Sequence, residues 1–305
     1  MFSWYLTAIL IEFYTINHTY MYRLIFLFIS FTLLSTTSSA QYYELGGGLG
    51  STLYYGDLNA PELSTNLGNA EFGGQLMLRY ISNKNMAIRA NLTLGKLSGD
   101  DRKSELEFQK IRNLRFTSLM VEGALLGEYY IFGYDAKAGT QIFSPYLTAG
   151  FGFIYFNPKS DLNGETYALQ PLGTEGQGLP GQASKYSKMA LTLPFGGGVK
   201  IKLNDRFNLG LELLARRSFT DYIDDVSTVY ANTDDLLATY GAISAALADR
   251  RGEALGIPQL NTPGSKRGGD GVDDWYFSFM INLTANFESI FGIDQGSGNV
   301  DCPRF

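Results

Sequence analysis

The stretch from Trp275 to Phe287, WYFSFMINLTANF, separates by strict alternation into two faces of opposite character. Trp275, Phe277, Phe279, Ile281, Leu283, Ala285 and Phe287 fall on one face, and Tyr276, Ser278, Met280, Asn282, Thr284 and Asn286 on the other. A period of two is that of a β-strand. At about 3.3 Å per residue the run can cross the hydrocarbon core of a bilayer even when tilted, and it exceeds the usual strand of a soluble sheet. Taken alone it fits a lipid-facing strand and a half-buried strand of a soluble sandwich equally well.

The rest of the chain favours the membrane. Aromatic residues make up 14% of it and glycines number 35, a composition suited to β architecture with tight turns and thinned strands. Mean hydropathy is -0.05, too polar for a bundle of membrane helices but in keeping with an alternation that averages out. Leu24 to Leu34 is an apolar run preceded by Arg23 and followed by small residues ending Ser38-Ser39-Ala40. That is the layout of a secretory signal peptide cleaved before Gln41, and the run is short for a spanning anchor. Met21 is then the natural start, with residues 1–20 an upstream extension and 21–40 the signal peptide.

Export removes His18, the single histidine, and leaves Cys302 as the single cysteine. A mature chain without either partner has no Ser-His or Cys-His pair, no histidine metal ligand and no internal disulfide. The sequence therefore points to a non-enzyme and implies no cofactor. A formal charge of -6 offers no basic face for nucleic acid.

Seven further segments resemble the first, near Tyr43 to Tyr55, Phe72 to Tyr80, Met86 to Leu97, Asn113 to Tyr130, Pro145 to Phe156, Leu191 to Leu203 and Phe207 to Phe219. Eight is the smallest even count that closes a membrane barrel. Connections alternate in length: Ser82 to Asn85 and Asn204 to Arg206 are short and Gly133 to Ser144 moderate, whereas the excursions from Gly56, Ser98, Asn157 and Ser218 are long. Short turns on one rim and long loops on the other are the outer-membrane pattern, with both termini periplasmic and the long loops extracellular. The expected fold is thus an all-β, eight-stranded antiparallel transmembrane barrel over 41–288, with a periplasmic tail over 289–305.

Glu44, Arg79, Arg89, Glu122, Glu128, Glu212 and Arg216 fall on the faces opposite the apolar ones. A sandwich would expose them, whereas a barrel turns them inward to pair, for example Glu44 with Arg89 and Glu122 with Arg79. The expected lumen is plugged rather than conducting. Glycine runs at Gly46-Gly47-Gly48, Gly150 with Gly152, and Gly196-Gly197-Gly198 suit close strand approach, and none has the spacing of a phosphate loop.

The longest excursion, from Ser218 to Val272, carries the pattern of one helix near 234–250. Thr233 stands at its cap, Asp234 and Asp235 in its first turn, Arg250 and Arg251 in its last, and Gly252 beyond. Leu236, Tyr240, Ile243 and Leu247 form its apolar stripe. The acidic run Asp221-Tyr222-Ile223-Asp224-Asp225 admits calcium, but lacks any calcium-loop spacing. Carboxylates fixing the loop through backbone amides and Arg216 or Arg217 are the preferred reading. In the tail, Asp301, Cys302, Arg304 and Phe305 are candidate partner contacts; Cys302 is either a free thiol or the donor of an intermolecular disulfide to a periplasmic partner.

The strings YELGGGLG at Tyr43, YYGDLN at Tyr54, RNLRFTSLMVEGAL at Arg112, SPYLTAGFGFIYFNP at Ser144, LQPLGTEGQG at Leu169, PFGGGVKIKL at Pro194, RRSFTDYIDDVSTVY at Arg216 and DWYFSF at Asp274 resemble the PorG-like outer-membrane proteins of the type IX secretion system of Bacteroidota. The resemblance implies an integral outer-membrane barrel that contacts outer-membrane lipid and the periplasmic lipoprotein ring of the secretion machine, with no catalytic residues. Placing the ring contact on the tail and periplasmic turns follows from topology. A stand-alone small barrel serving envelope integrity or adhesion is the alternative.

Overall fold

The computed structural model describes residues 42–59, 63–134, 142–269 and 271–287. The upstream extension, the signal peptide and the tail expected at 289–305 lie outside them. Among the described residues nine strands form in order: β1 (Tyr42–Tyr55), β2 (Glu71–Asn83), β3 (Met86–Asp100), β4 (Arg115–Tyr130), β5 (Phe143–Leu162), β6 (Glu165–Ala168), β7 (Met189–Lys202), β8 (Phe207–Ser218) and β9 (Trp275–Asn286). The sheet order is β4-β3-β2-β1-β9-β8-β7-β5-β6, and β4 also pairs with β5. That last pairing closes an antiparallel barrel of eight strands, to which β6 adds a short hairpin on the end of β5.

The strand from Trp275 closes the circle against β1, from Tyr55 opposite Trp275 to Glu44 opposite Asn286. Its polar face is the buried one: Ser278, Asn282, Thr284 and Asn286 point into the lumen, while Phe279, Ile281 and Leu283 are about half exposed. The same inversion runs round the barrel, with Leu49, Leu76, Ile88, Leu119, Phe151, Leu193 and Leu213 standing outward. A sheet in water would collapse that apolar belt; in a bilayer it is the contact surface. Tyr43 and Tyr129 mark one edge of the belt and Tyr55 and Trp275 the other, as aromatic rings do at membrane interfaces.

Lumen-facing glycines let the interior be filled. A Cβ on Gly48 would lie 1.9 Å from the Asn282 Oδ1, and one on Gly198 would lie 2.6 Å from the Tyr146 Oη, so both side chains occupy space that glycine leaves open.

Several boundaries differ from the sequence reading. The β4 strand begins at Arg115, not Asn113, because Asn113 adopts a left-handed conformation (φ 57°) that ends helix α2 (Glu107–Arg112). The β3 strand continues past Leu97 to Asp100, and β5 continues past Phe156 to Leu162 where β6 pairs with it. Another short helix, α1 (Leu63–Gly68), lies in the first long loop.

The single helix expected near 234–250 is three: α3 (Thr233–Tyr240), α4 (Ala242–Ala248) and α5 (Arg251–Leu255). Gly241 at φ 88° leaves the helical region and breaks the first, and Asp249 at φ -135° ends the second. The cap of α3 is Asn232, whose Oδ1 accepts from the Asp234 amide at 3.0 Å, rather than Thr233. Arg251 opens α5 instead of closing a longer helix, Gly252 lies inside it, and Gly256 ends it.

Candidate functional site: the charged lumen and its loop cap

All seven charged residues assigned inward by alternation are buried in the lumen, at most 4% exposed. They divide into two groups. Towards the rim of short turns, Arg79 binds Glu44 at 2.8 Å and Glu128 at 2.7 Å, while Arg89 binds Glu128 at 3.1 Å and Glu212 at 2.7 Å. Lys200, not singled out from the sequence, completes this group with its Nζ 2.5 Å from Glu44. Higher up, Arg216 binds Glu122 at 2.6 Å and donates to Ser278 at 2.7 Å, and Glu122 also accepts from Thr192 and Tyr276.

The pairs expected from the sequence, Glu44 with Arg89 and Glu122 with Arg79, are therefore replaced by others. Register explains both. Glu44 lies directly opposite Arg79 across β1 and β2, and Glu122 lies opposite Thr93, well above the level of Arg79 and Arg89. Arg79 and Arg89 themselves face each other across β2 and β3, an arrangement of like charges that repels unless an anion stands between them. Glu128 is that anion and also accepts from Tyr130 at 2.7 Å. Four carboxylates thus face four cations with the charge balanced inside.

Both ends of the lumen are closed. Tyr134, from the moderate turn after β4, packs with Tyr42, Ile81, Ala87, Tyr130 and Tyr146, and its hydroxyl meets Asn208. The Lys200 ammonium stands 4.3 Å from the centre of the Tyr134 ring. At the other end Leu58, Leu114, Leu169, Ile223, Val226 and Leu247, drawn from all four long loops, pack on Tyr54, Phe116 and Tyr276 of the barrel mouth.

Two buried arginines tie this cap together. Arg112 forms a two-point pair with Asp101 at 2.7 and 2.8 Å and donates to the carbonyls of Asp57 at 2.6 Å and Arg267 at 2.9 Å. Arg267 donates to Glu175 at 3.0 Å and to the Asp225 carbonyl at 2.6 Å. Glu175 in turn accepts from the amides of Ser227 and Thr228. Arg112 and Glu175 lie within the strings that carry the family resemblance and Arg267 outside them, but the role of none is visible in the sequence, since each meets partners from distant loops.

The acidic run is built into the same cap. Asp224 accepts from the amides of Leu58 at 3.2 Å and Val226 at 2.9 Å, and Asp225 accepts from Thr174 and Tyr186. The nearby arginine is Arg267, not Arg216 or Arg217: Arg216 is committed to Glu122, and Arg217 pairs with Asp273 at 2.8 Å. The Tyr54 Oη lies 2.7 Å from both Asp224 and Asp274, each fully buried. A phenol has one proton to give, so one of the two carboxyls must carry a proton and donate it to the phenol oxygen. Gly56 leaves the room for this contact, for its Cβ would lie 2.0 Å from both the Asp274 Oδ1 and the Tyr54 Oη.

Burial is the main cause that raises the carboxyl pKa of Asp224 and Asp274 well above the usual range, and pushes Asp221 up to about 7 and Asp225 up to about 6. Asp301, Cys302, Arg304 and Phe305 lie outside the described residues, and among the described residues no cluster of metal-ligating side chains occurs.

A closed eight-stranded barrel with an apolar exterior and a filled, charge-paired interior is an integral β-barrel of the outer-membrane type. The family described as a domain of unknown function, DUF6089, matches residues 22–244, and the chain belongs to that family. Comparison with curated proteins finds no match. Among solved structures the chain is similar to Neisserial surface protein A (10% identity, 80% of this chain and 97% of that chain covered, TM-score 0.38). It is also similar to Ail, the attachment invasion locus protein of Yersinia pestis (10% identity, 81% and 99% covered, TM-score 0.37). A third is the outer membrane protein W of E. coli (13% identity, 82% and 100% covered, TM-score 0.34).

Two outcomes follow from the geometry. Glu128→Gln leaves Arg79 and Arg89 facing each other without their shared anion and lowers barrel stability by about 3–5 kcal/mol, read from urea unfolding in lipid vesicles; a loss under about 1 kcal/mol would contradict the bridging role. In the cap, the folded carboxyls hold their protons to higher pH than the unfolded chain, whose aspartates titrate near 3.8. The folded cap then binds more protons, and its stability falls as pH rises from about 4 through about 7. Amide exchange at Ile223 and Val226, corrected for intrinsic rate, is more protected at pH 5 than at pH 8, and Asp224→Asn flattens that dependence.

Proposed function

We propose that this chain is a non-enzymatic structural component of the outer membrane that anchors the periplasmic lipoprotein ring of a type IX secretion system. The observation that carries this reading is the filled lumen. Its charged side chains are bonded to one another, and apolar clusters close both ends. A barrel without a passage offers partners its rims, its loops and its tail.

The strings that resemble PorG-like proteins extend over most of the sequence after residue 40, which favours the secretion role over other small barrels. Loss of the only histidine with the signal peptide favours a non-enzymatic role. Tyr42 of β1 and Asn286 of β9 share the rim of short turns, which supports a ring contact on that side through Asp301, Cys302, Arg304 and Phe305. A disulfide through Cys302 would make the anchorage covalent.

A second reading has its own support. Motifs at Tyr54, Arg112, Leu169, Arg216 and Asp274 all contribute to the loop cap. That concentration of built structure favours a stand-alone barrel acting in envelope integrity or adhesion through its outer face.

Replacing residues 288–305 and 203–206 with Gly/Ser linker separates the two. Under the anchor reading, secretion of cargo stops and a ring lipoprotein no longer co-purifies with the barrel from detergent-solubilised membranes, although the barrel still inserts. Continued secretion would overturn it, and loss of function from loop deletions alone would favour the second reading.

A further inference from the structure

The apolar belt is not even. Outward-facing positions 47 on β1 and 74 on β2 are glycines, and the register sets Gly47 beside Leu76 and Gly74 beside Leu49. With no side chain at either point the wall is thin, and a groove of about 920 Å3 runs along it, lined by Leu49, Leu76, Leu92, Leu94 and Ile281. Lys96 stands at the end of this groove nearest the long loops.

The change from apolar to charged at that end is abrupt. Across β3, β4 and β5, Lys96 lies level with Leu119 and Asn157, and Ser98 with Thr117 and Lys159; Asp100 lies opposite Arg115, whose guanidinium pairs with Asp161. A second hollow of about 330 Å3 opens here, lined by the cations Arg102, Lys103, Arg115 and Lys159 and by the carboxylates Glu71, Asp100 and Asp161. Three of its surrounding cations are matched: Lys96 by Glu71 at 3.3 Å, Arg102 by Asp100 at 2.6 Å, and Arg115 by Asp161 at 2.6 Å with Glu253 at 3.7 Å. Lys103 donates only to the neutral Asn69 Oδ1 at 2.7 Å, and among the described residues no carboxylate lies within ion-pair distance of Lys103 or Lys159. A chain with formal charge -6 thus leaves two lysines without a carboxylate partner at one edge of its lipid belt, on the long-loop side of the apolar groove.

We propose that this face binds one phosphorylated glycolipid of the outer leaflet. An acyl chain lies in the groove over Gly47 and Gly74, and a phosphate sits in the upper hollow between Lys103 and Lys159. The complementarity has two parts, apolar below and cationic above, matched to the two parts of such a lipid. Juxtamembrane lysines attract anionic headgroups in this way. The assignment of leaflet rests on the proposed orientation, with the long loops outside.

The test uses the full barrel purified from membranes in detergent, with bisphosphorylated lipid A as the probe and native mass spectrometry as the readout. One lipid A is retained per barrel. Lys103→Gln with Lys159→Gln lowers its affinity about thirty-fold, at about five-fold per lysine. Gly74→Leu, whose added side chain projects into the groove beside the Leu49 Cδ2 that a Cβ would meet at 3.2 Å, lowers it as well without touching either lysine. Both variants keep the heat resistance of the barrel on gels, which separates loss of the site from loss of the fold.

Equal retention by the variants, or equal retention of dephosphorylated lipid A, would overturn the proposal. Retention of phosphatidylglycerol as well as lipid A would overturn its choice of lipid. Because binding in detergent is independent of orientation, protease treatment of intact cells reads orientation separately. Cleavage within the loop 163–188 only after permeabilisation would place these lysines at the inner leaflet and overturn the glycolipid assignment.

Discussion

Glu128 between Arg79 and Arg89 is the contact on which the rest of the lumen depends. The two guanidinium groups face each other across adjacent strands and, without the carboxylate, would repel in a space with no bulk water. From this bridge the chain of pairs extends to Glu44 on β1, Lys200 on β7 and Glu212 on β8, so that six of the eight barrel strands are joined through the interior. Buried ion pairs contribute little net stability compared with apolar packing of the same volume. Their effect here is on register. A slip of one residue in any of these strands would turn its charge to the lipid face, at about 2–4 kcal/mol for Arg or Lys near the bilayer midplane.

The same economy of charge recurs above the membrane. Arg112 and Arg267 satisfy carbonyls and carboxylates from four loops, so the long-loop side of the barrel is a folded cap. Tyr54 links the two regions, since it belongs to β1 but shares its hydroxyl between Asp224 and Asp274 of the cap. A proton shared within this trio lets two buried carboxyls lie close together without two buried charges. Barrel mouth and cap are therefore one packed unit, and the charged lumen below is sealed from both sides.

Much of this was legible in the alternation of residues. The two-faced pattern of Trp275 to Phe287 establishes strand and orientation together, and the inward placement of seven charges follows from period two alone. Lys200 obeys the same rule on the face of Gly196 and Gly198, but its place beside a glycine run hides it. Pairing partners were not legible, because which charges meet depends on the stagger between strands, and that stagger is a property of the closed barrel rather than of any one segment. The break of the loop helix had a visible signal in Gly241. The roles of Arg112, Glu175 and Arg267 had none, since their partners lie in separate loops far apart along the chain.

The central claim is that paired charges fill the barrel and leave no passage. Single-channel recording of the purified barrel in a planar lipid bilayer tests it most directly. The account predicts a flat current trace, without discrete openings, at neutral pH and moderate salt. Regular porin-like conductance steps from the intact protein would contradict it.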